Sequence, residues 1–248
     1  MGEVIVVVSG KGGTGKTSFT AGVGSALALL GKRVLVLDGD IGLRNLDMAL
    51  GLTDRALMDF CDVATGRCAL EDAAIPHPRI PGLFLLTAPL NLHGELITDG
   101  QMQTLTAQIR GGFDFCLIDA PAGLGSGFRL TTCGADRAVI VTTTDATSLR
   151  DAQRAVMLLG DKFSRNRLHL VVNRVRKKML RSLHATIDDA IDSAGLPLLG
   201  IIPEDDALPL ALGRGIPLLL ADSPAAARAY YNIARRLTGQ RVRLMKIR

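Results

Sequence analysis

Aromatic residues are scarce in this sequence: tryptophan is absent, and aromatic residues make up only 4% of the 248 residues. Because 48% of the residues are hydrophobic, a large core must be built almost entirely from aliphatic side chains. This composition argues against an aromatic-rich β-sandwich and favours Val/Ile/Leu strands covered by Ala/Leu helices. The hydrophobic content excludes general disorder, and the length is ordinary for one large α/β domain.

Metal-ligand and disulfide patterns are missing as well. The four cysteines form no CxxC pair and the four histidines lack ligand spacing; these residues are Cys61, Cys68, Cys116, Cys133, His77, His93, His169 and His184. The sequence therefore predicts reduced thiols in a cytoplasmic protein and disfavours a metallocluster carrier. No apolar run reaches the ~18 residues of a spanning helix, and no basic segment precedes the short amino-terminal run. We expect a protein that is soluble or at most peripheral to a membrane.

Acidic residues are absent after Asp222, although the formal net charge of the chain is only +5. The basic residues that follow are Arg228, Arg235, Arg236, Arg241, Arg243, Lys246 and Arg248. A second basic run extends from Lys162 to Arg181. Either run could face an anionic surface, whether phospholipid or nucleic acid. A solvated basic helix face is the commoner explanation for the second run.

Short apolar runs alternate with helical patterns along the chain. The predicted strands are Val4–Val8, Arg33–Leu37, Leu83–Thr87, Phe113–Ile118, Ala138–Thr142, Leu168–Val172 and Leu198–Ile202. The predicted helices are Thr17–Leu30, Asp99–Arg110, Ser148–Leu159, Met179–Ala194 and Pro224–Thr238. Unbroken Val/Ile/Leu runs are typical of strands buried on both faces. The pattern therefore predicts an α/β fold, with a mostly parallel sheet and helices on both faces, in a single domain over residues 1–240.

The run Gly10–Thr17, GKGGTGKT, fits GxxxxGK[ST] and stands between the first predicted strand and the first predicted helix. In that position the glycines let N–H groups point into a phosphate-sized hollow, and the helix N-terminus adds its positive dipole end. Lys16 is expected to reach the β- and γ-phosphates, and the Thr17 hydroxyl to bind Mg²⁺. The sequence therefore predicts a P-loop NTPase that binds ATP with Mg²⁺.

Lys11 is an unusual addition, because an ordinary P-loop already has Lys16 for the phosphates. A lysine directly after the first glycine is expected to project out of the loop. It is either a solvated surface residue or a charge that completes a site once another surface covers the nucleotide, as an arginine finger does.

Acidic residues follow two of the predicted strands: Asp38 and Asp40 come after the second, and Asp119 after the fourth. In an open parallel sheet the ligand lies at the carboxyl ends of the strands, so these carboxylates are expected to face the P-loop. We expect Asp119 to hold Mg²⁺ through water, Asp40 to orient an attacking water, and Asp38 to support the metal or the loop. The candidate metal ligands are thus Thr17, Asp119 and Asp40. One such Asp is as often a turn or a helix cap, but three beside one P-loop favour a site.

Longer blocks of sequence resemble a known family. GKGGTGKT, VLVLDGDIGLRNLDMALGL, CLIDAPAG, VVNR and IIPED are similar to the deviant Walker A ATPases of the ParA/MinD superfamily. The resemblance extends from the first strand to about Asp222, which is nearly the whole chain. The stretch DIGLRNLD, Asp40–Asp47, resembles the MinD branch, whereas flagellar-number relatives and partition ATPases usually diverge there.

The resemblance implies roles for particular residues. Lys11 would be the signature lysine that contacts the nucleotide across an ATP-sandwich dimer, and Asp151 the acidic residue that holds it. Asp38 and Asp40 would belong to switch I, and Asp119–Gly123 to switch II. The nucleotide would be bound by Gly10, Lys11, Gly12, Gly13, Thr14, Gly15, Lys16, Thr17 and Ser18 around the phosphates, and by Asn173, Arg174, Pro203, Glu204 and Asp205 around the base. Catalysis would depend on Lys11, Lys16, Asp40 and Asp119.

For function, the resemblance implies an ATPase that controls placement of the division septum and is slow until a partner stimulates it. ATP would promote a homodimer, which would bind the inner face of the cell membrane and recruit a MinC-like inhibitor; a MinE-like activator would release it. Three alternatives stay open: a ParA-like partition ATPase on non-specific DNA, a flagellar-number relative, and a scaffold without turnover. Phosphate contacts from residues 162–181 would serve the DNA alternative.

The last eight residues, Arg241–Arg248, alternate basic and apolar side chains. We interpret them as a reduced membrane-targeting segment. So short a segment buries little apolar area, and one weak signal gives only marginal membrane affinity. A basic end to the last helix and a strand-like alternation are the alternatives.

Overall fold

The strands form one sheet whose order places the P-loop near its middle. In the computed structural model, which describes residues 1–41, 43–90, 97–176, 191–192, 194–221 and 224–245, this sheet has eight strands. They are β1 Glu3–Val8, β2 Val34–Asp38, β3 Ile75–Pro76, β4 Leu83–Leu86, β5 Phe115–Asp119, β6 Arg137–Thr142, β7 Leu168–Val175 and β8 Leu198–Pro203. The order is β3-β4-β2-β5-β1-β6-β7-β8, and the pairing is parallel throughout except between β3 and β4. The predicted mostly parallel sheet is confirmed.

Helices cover both faces of the sheet. Those with defined bounds are α1 Lys16–Leu29, α2 Leu46–Leu50, α3 Phe60–Ala64, α4 Leu70–Ala73, α5 Asp99–Gly112, α6 Ser126–Cys133, α7 Ala146–Gly160, α8 Ala207–Gly213 and α9 Pro224–Leu237. Polar caps fix the start of several: the side chains of Asp59 and Asp145 accept backbone N–H groups of α3 and α7, and Thr98 with Gln101 forms a capping box on α5. Such caps satisfy N–H groups that a helix leaves unpaired.

The sheet separates two hydrophobic clusters, because alternate residues of a strand point to opposite faces. On β1, Val4, Val6 and Val8 belong to one cluster and Ile5 and Val7 to the other, and all five are fully buried. Helices α1, α2 and α9 cover one face, and α3 to α7 cover the other. With both faces closed by helices, the loops at the carboxyl ends of the strands are the natural place for a ligand.

The predicted elements agree with the structure where the apolar runs are long. All seven predicted strands are present, with ends that differ by at most three residues. The two-residue strand β3 and the short helices α2, α3, α4, α6 and α8 were not predicted, because they hold too few residues to show a period. The helix predicted over Met179–Ala194 lies, apart from its last positions, outside the described residues.

The carboxyl-terminal segment is not helical over residues 241–245. The Arg236 guanidinium of α9 holds it by donating to the carbonyls of Val242 at 3.1 Å and Arg243 at 2.7 Å, and to Leu199 of β8 at 2.8 Å. Met245 packs against one of the core clusters, whereas Leu244 is about half exposed. Among the described helices, none is long and apolar enough to cross a membrane.

Candidate active site

The loop between β1 and α1 carries the P-loop residues Gly10–Thr17, and β1 is flanked by β5 and β6. Gly13 and Gly15 have φ angles of +79° and +86°, which glycine adopts without strain. Helix α1 begins at Lys16 with no side-chain cap, so its first N–H groups are available to an anion. The backbone therefore has the form that phosphate binding requires.

Lys16 and Asp119 form a buried ion pair beneath this loop. Lys16 Nζ lies 2.9 Å from Asp119 Oδ1, and the two side chains are only 7% and 1% exposed. The Thr17 hydroxyl donates to Asp119 Oδ2 at 2.6 Å. One carboxylate thus holds both side chains that were predicted to bind phosphate and Mg²⁺. A triphosphate that enters the loop has to compete with Asp119 for the Lys16 ammonium.

Asp38 lies beside Asp119, because β2 and β5 are paired in register at these two positions. The buried Asp38 carboxylate accepts hydrogen bonds from the N–H groups of Asp40 at 2.9 Å and Leu46 at 3.0 Å. Burial, with the negative charge of Asp119, raises the pKa of Asp38 to about 7. Burial also raises the pKa of Asp40; the charge of Lys16 opposes this shift and that of Asp119 adds to it. The three carboxylates predicted from the strand ends are therefore close enough to influence one another.

Lys11 contacts the start of α7. Its Nζ lies 3.0 Å from Asp145 Oδ1 and donates to the Thr147 hydroxyl at 2.8 Å. Asp145 also caps the helix by accepting the N–H of Ser148 at 2.9 Å. Partial burial by itself raises the pKa of Asp145, but hydrogen bonds from Thr143, Thr147 and Ser148 outweigh it and hold the pKa well below its usual range. Asp145 is thus a firmly ionised partner for Lys11.

In this structure Lys11 pairs with Asp145 and Thr147 instead of Asp151, and the role expected for Asp151 stays a prediction. Asp151 lies further along α7, packed under Gly10: a Cβ on Gly10 would come within 2.4 Å of the Asp151 Cβ and carbonyl oxygen. The Asp151 carboxylate lies 3.6 Å from Arg154, one turn on. Helix α7 therefore contacts the P-loop through the backbone of Asp151 and contacts Lys11 through its capping residue, Asp145.

The far end of the site comes from β7 and β8. The side chains of Asn173 and Arg174 donate to carbonyls of the P-loop, at 2.8 and 3.2 Å respectively. Arg174 also pairs with Glu204 at 3.0 Å, and Arg176, which the sequence analysis did not select, pairs with the same carboxylate. These contacts connect the end predicted to hold the base directly to the phosphate loop.

An open cavity of about 560 Å³ joins the two ends. This volume is within the roughly 300–1,000 Å³ of small-molecule sites. The predicted residues that line it are Gly12, Gly13, Thr14, Gly15, Lys16, Thr17, Ser18, Asp40, Ala122, Asn173, Arg174, Pro203, Glu204 and Asp205. Eight predicted residues are not in the lining: Gly10, Lys11, Asp38, Asp119, Ala120, Pro121, Gly123 and Asp151.

Eight lining residues were not predicted from the sequence: Ser9, Leu43, Asn45, Arg176, Asp206, Leu208, Pro209 and Tyr230. Ser9, Leu43, Asn45 and Asp206 adjoin or fall within the quoted blocks, and Arg176 lies two residues after one, so that proximity was a usable signal. Tyr230 lies on α9, far in sequence from every motif, and no pattern points to it.

The donor set around Thr17 fits Mg²⁺ that is shared with phosphate. The Thr17 hydroxyl and the Asp119 carboxylate are already in contact, and Asp40 lines the same cavity. Mg²⁺ takes oxygen ligands and is usually bound by one or two carboxylates together with waters and substrate phosphates. Within the described residues, no group of three or more His, Cys, Asp or Glu side chains is arranged to hold a metal by itself. These residues fit a metal that enters with a nucleotide.

Comparison with known proteins agrees with this geometry. Residues 5–218 match the model of the CobQ/CobB/MinD/ParA nucleotide binding domain. The septum site-determining protein MinD of Synechocystis is 41% identical over 242 residues, covering 97% of this chain and 91% of the relative. MinD of Bacillus subtilis is 39% identical and covers 98% of this chain and 92% of the relative. The chain belongs to the MinD family.

Solved MinD structures have the same fold. The MinC:MinD complex of Aquifex aeolicus matches with a TM-score of 0.90 and 39% identity, covering 98% of each chain. MinD of Pyrococcus horikoshii, complexed with Mg-ADP, matches with a TM-score of 0.81 and 29% identity, covering 96% of each chain. A ParA family ATPase of Chlorobium tepidum, with a TM-score of 0.82, is only 22% identical over 94% of this chain and 99% of its own, so it shows the fold alone.

Membership settles the broad class. The chain is a MinD-family protein of cell division with a nucleotide-binding domain, and its family uses nucleotide and magnesium. The predicted resemblance to MinD is confirmed.

Proposed function

We propose that this chain hydrolyses ATP to ADP and phosphate slowly by itself and acts as an ATP-dependent dimerisation switch in septum placement. One observation carries the proposal: Lys11 is not among the residues that line the cavity of its own chain, although Lys16 is. A second P-loop lysine that does not line the phosphate site of its own chain is suited to the site of another copy.

The contact with Asp145 gives the switch its two states. In the structure Lys11 is paired with Asp145 and Thr147. In the proposed dimer it exchanges these partners for the phosphates bound by the other copy. ATP then favours the dimer because the triphosphate has more contacts there than in the monomer, and a ligand shifts an equilibrium by its differential affinity.

The hydrolytic roles follow from the carboxylates. Mg²⁺, when bound with the nucleotide, offsets phosphate charge. Thr17 and Asp119 hold it, and Asp40, which lines the cavity, orients the attacking water. Lys16 leaves Asp119 to bind the phosphates. Because the site is complete only in the dimer, turnover stays slow until a MinE-like activator stabilises the reactive arrangement.

Partners and place of action come by analogy with the relatives. The MinC:MinD complex of the Aquifex relative supports a MinC-like inhibitor as partner of this chain. We place the nucleotide-free or ADP-bound monomer in the cytoplasm and the ATP-bound dimer at the inner face of the cell membrane. The basic and apolar residues 241–248 supply the reduced membrane-targeting segment, added to the ATPase domain of residues 1–240.

Nucleic acid is the less favoured anionic partner, because part of the second basic run is already paired. Arg167 lies 3.4 Å from Glu3, and Arg174 and Arg176 both pair with Glu204. Side chains that neutralise carboxylates of their own chain release fewer counterions from DNA than free ones do.

Light scattering with ADP and with ATP, with and without anionic liposomes, tests the proposal. We expect dimers with ATP only and co-sedimentation with liposomes in that state. Lys11→Ala should keep nucleotide binding by the monomer and lose both ATP-dependent dimerisation and co-sedimentation with liposomes. Lys32→Ala, just before β2, serves as a matched control. Lys11→Ala dimers equal to wild type would overturn the role of Lys11 in trans. Wild-type dimers that stay in the supernatant would overturn the membrane role and leave the ATP switch.

A further inference from the structure

Two residues that line the cavity carry a buried hydroxyl group without a hydrogen-bond partner. In the described part of the chain five buried side-chain polar atoms lack a partner, and the two that belong to cavity-lining residues are Thr14 Oγ1 and the Tyr230 hydroxyl. An unpaired buried polar group is unfavourable, so such groups are normally completed by water or a ligand. Thr14 belongs to the phosphate loop. Tyr230 belongs to no motif, and its hydroxyl is unexplained.

Packing of α9 against α1 fixes the position of Tyr230. Its side chain is 1% exposed, and its ring packs on α1 at Gly22, where an added Cβ would lie 2.6 Å from the ring carbons. Gly22 is six residues beyond Lys16, about 9 Å along the helix axis. Tyr230 therefore lies well away from the phosphate end of the cavity.

Apolar residues accompany Tyr230 in the cavity lining. Pro203, Leu208 and Pro209 line the same cavity with Tyr230 and offer hydrophobic walls. Burial, together with the negative charge of Asp205, raises the pKa of Tyr230, so its hydroxyl keeps its proton at neutral pH. A neutral donor in a cavity that also has apolar walls is suited to an acceptor nitrogen of a heterocyclic base.

We propose that Tyr230 is a specificity-determining residue whose hydroxyl donates a hydrogen bond to the base of the bound nucleotide. This rests on nucleotide binding in the cavity, and it adds a contact from the last helix to those expected from β7 and β8. A base that fails to present an acceptor leaves the buried hydroxyl unpaired, which is how a site built around a hydrogen bond rejects the wrong ligand.

The test is calorimetric titration of Tyr230→Phe with Mg-ADP, which avoids coupling to dimerisation, and with inorganic pyrophosphate. Phenylalanine keeps the ring against Gly22 and removes only the hydroxyl. We expect the Kd for Mg-ADP to rise about three- to tenfold, and the Kd for pyrophosphate to stay unchanged. The melting temperature of the nucleotide-free variant should not fall, because no internal partner is lost.

Controls separate this proposal from its foundation. Tyr231→Phe, the next residue on α9, packs against the core and does not line the cavity, so it should bind Mg-ADP as wild type does. An unchanged Kd for Mg-ADP in Tyr230→Phe would overturn the contact with the base while leaving nucleotide binding intact. So would a rise in Kd that disappears when 2′-deoxy-ADP replaces ADP, because the hydroxyl would then contact the ribose. If the wild type did not bind Mg-ADP, both the Tyr230 contact and nucleotide binding in the cavity would be overturned.

Discussion

The side chain of Asn173 donates a 2.8 Å hydrogen bond to the carbonyl of Thr14, 159 residues earlier in the chain. Asn173 is 4% exposed and belongs to β7, two strands away from the strand that precedes the P-loop. The bond holds the loop in one backbone form before any ligand arrives. It also brings the Asn173 amide over Gly15, so that a Cβ there would lie 2.2 Å from Nδ2.

Gly15→Ala should therefore abolish nucleotide binding and destabilise the fold. The new Cβ would displace Asn173, and the φ of +86° would be strained as well. Gly13→Ala is a matched control, since its φ is +79° but a Cβ there meets nothing within 4 Å. It should lose only about 1–2 kcal/mol of unfolding free energy. Urea unfolding and Mg-ADP titration check both; equal effects of the two variants would contradict the role of Asn173.

Lys16→Ala should lose nucleotide binding and also destabilise the protein. Removing the ammonium leaves the buried Asp119 carboxylate without its cation, a change that typically costs about 3–5 kcal/mol. The double variant Lys16→Ala/Asp119→Asn removes that charge and should regain much of the unfolding free energy without regaining binding. If the double variant were no more stable than Lys16→Ala, the ion pair would not be the cause.

Asp38→Asn should change how stability depends on pH. The pKa of Asp38 is about 7 in the folded protein against an ordinary value of 3.8, so the folded state holds the proton more tightly. As pH rises from about 4 to about 7, the unfolded state loses this proton first, and Asp38 reduces the unfolding free energy by about 1.4 kcal/mol per pH unit. Above pH 7 the effect is constant.

The measurement for Asp38 is urea unfolding of wild type and Asp38→Asn at several pH values between 4.5 and 8. The difference between the two proteins isolates this carboxyl from all other titrating groups. We expect the wild type to lose stability relative to the variant up to about pH 7 and to run parallel to it above. Parallel curves over the whole range would show that the Asp38 pKa is not raised.

Asp40→Asn should bind Mg-ATP and dimerise yet hydrolyse at least about 100-fold more slowly, the usual scale for losing a group that positions or deprotonates a nucleophile. Asp206→Asn is a suitable control, because Asp206 lines the same cavity and is 96% exposed. Single-turnover hydrolysis at saturating ATP separates chemistry from binding. Normal turnover in Asp40→Asn would remove its proposed role.

The amino-acid sequence predicts the fold better than it predicts the side-chain contacts of the site. Unbroken Val/Ile/Leu runs such as the one that forms β1 are typical of a strand buried on both faces, so these strands were predictable. Strand β3 was not, because it holds two residues and one is Pro76. Likewise, the neighbourhood of Asp38 and Asp119 followed from the rule that parallel strands end at one edge.

Contacts made by packing alone were beyond the sequence. The partner of Lys11 turned out to be Asp145, since which acid on α7 reaches it depends on where the helix crosses the P-loop. Tyr230 reaches the cavity because α9 packs on α1, and nothing in the residues around it distinguishes it from a core tyrosine. Tertiary proximity of this kind leaves no local signature.

The two edge strands of the sheet, β3 and β8, affect how copies of this chain can associate. Strand β3 is two residues long and ends in proline, which has no N–H to offer. On the opposite border, β8 also ends in a proline, Pro203, and the carbonyl of Leu199 is already taken by Arg236. Among the described residues, β3 is therefore too short to form a backbone ladder with another molecule, and β8 has lost one acceptor and the donor at its last residue. Both features weaken the addition of a strand from another copy, which favours assembly through side chains that a nucleotide can control.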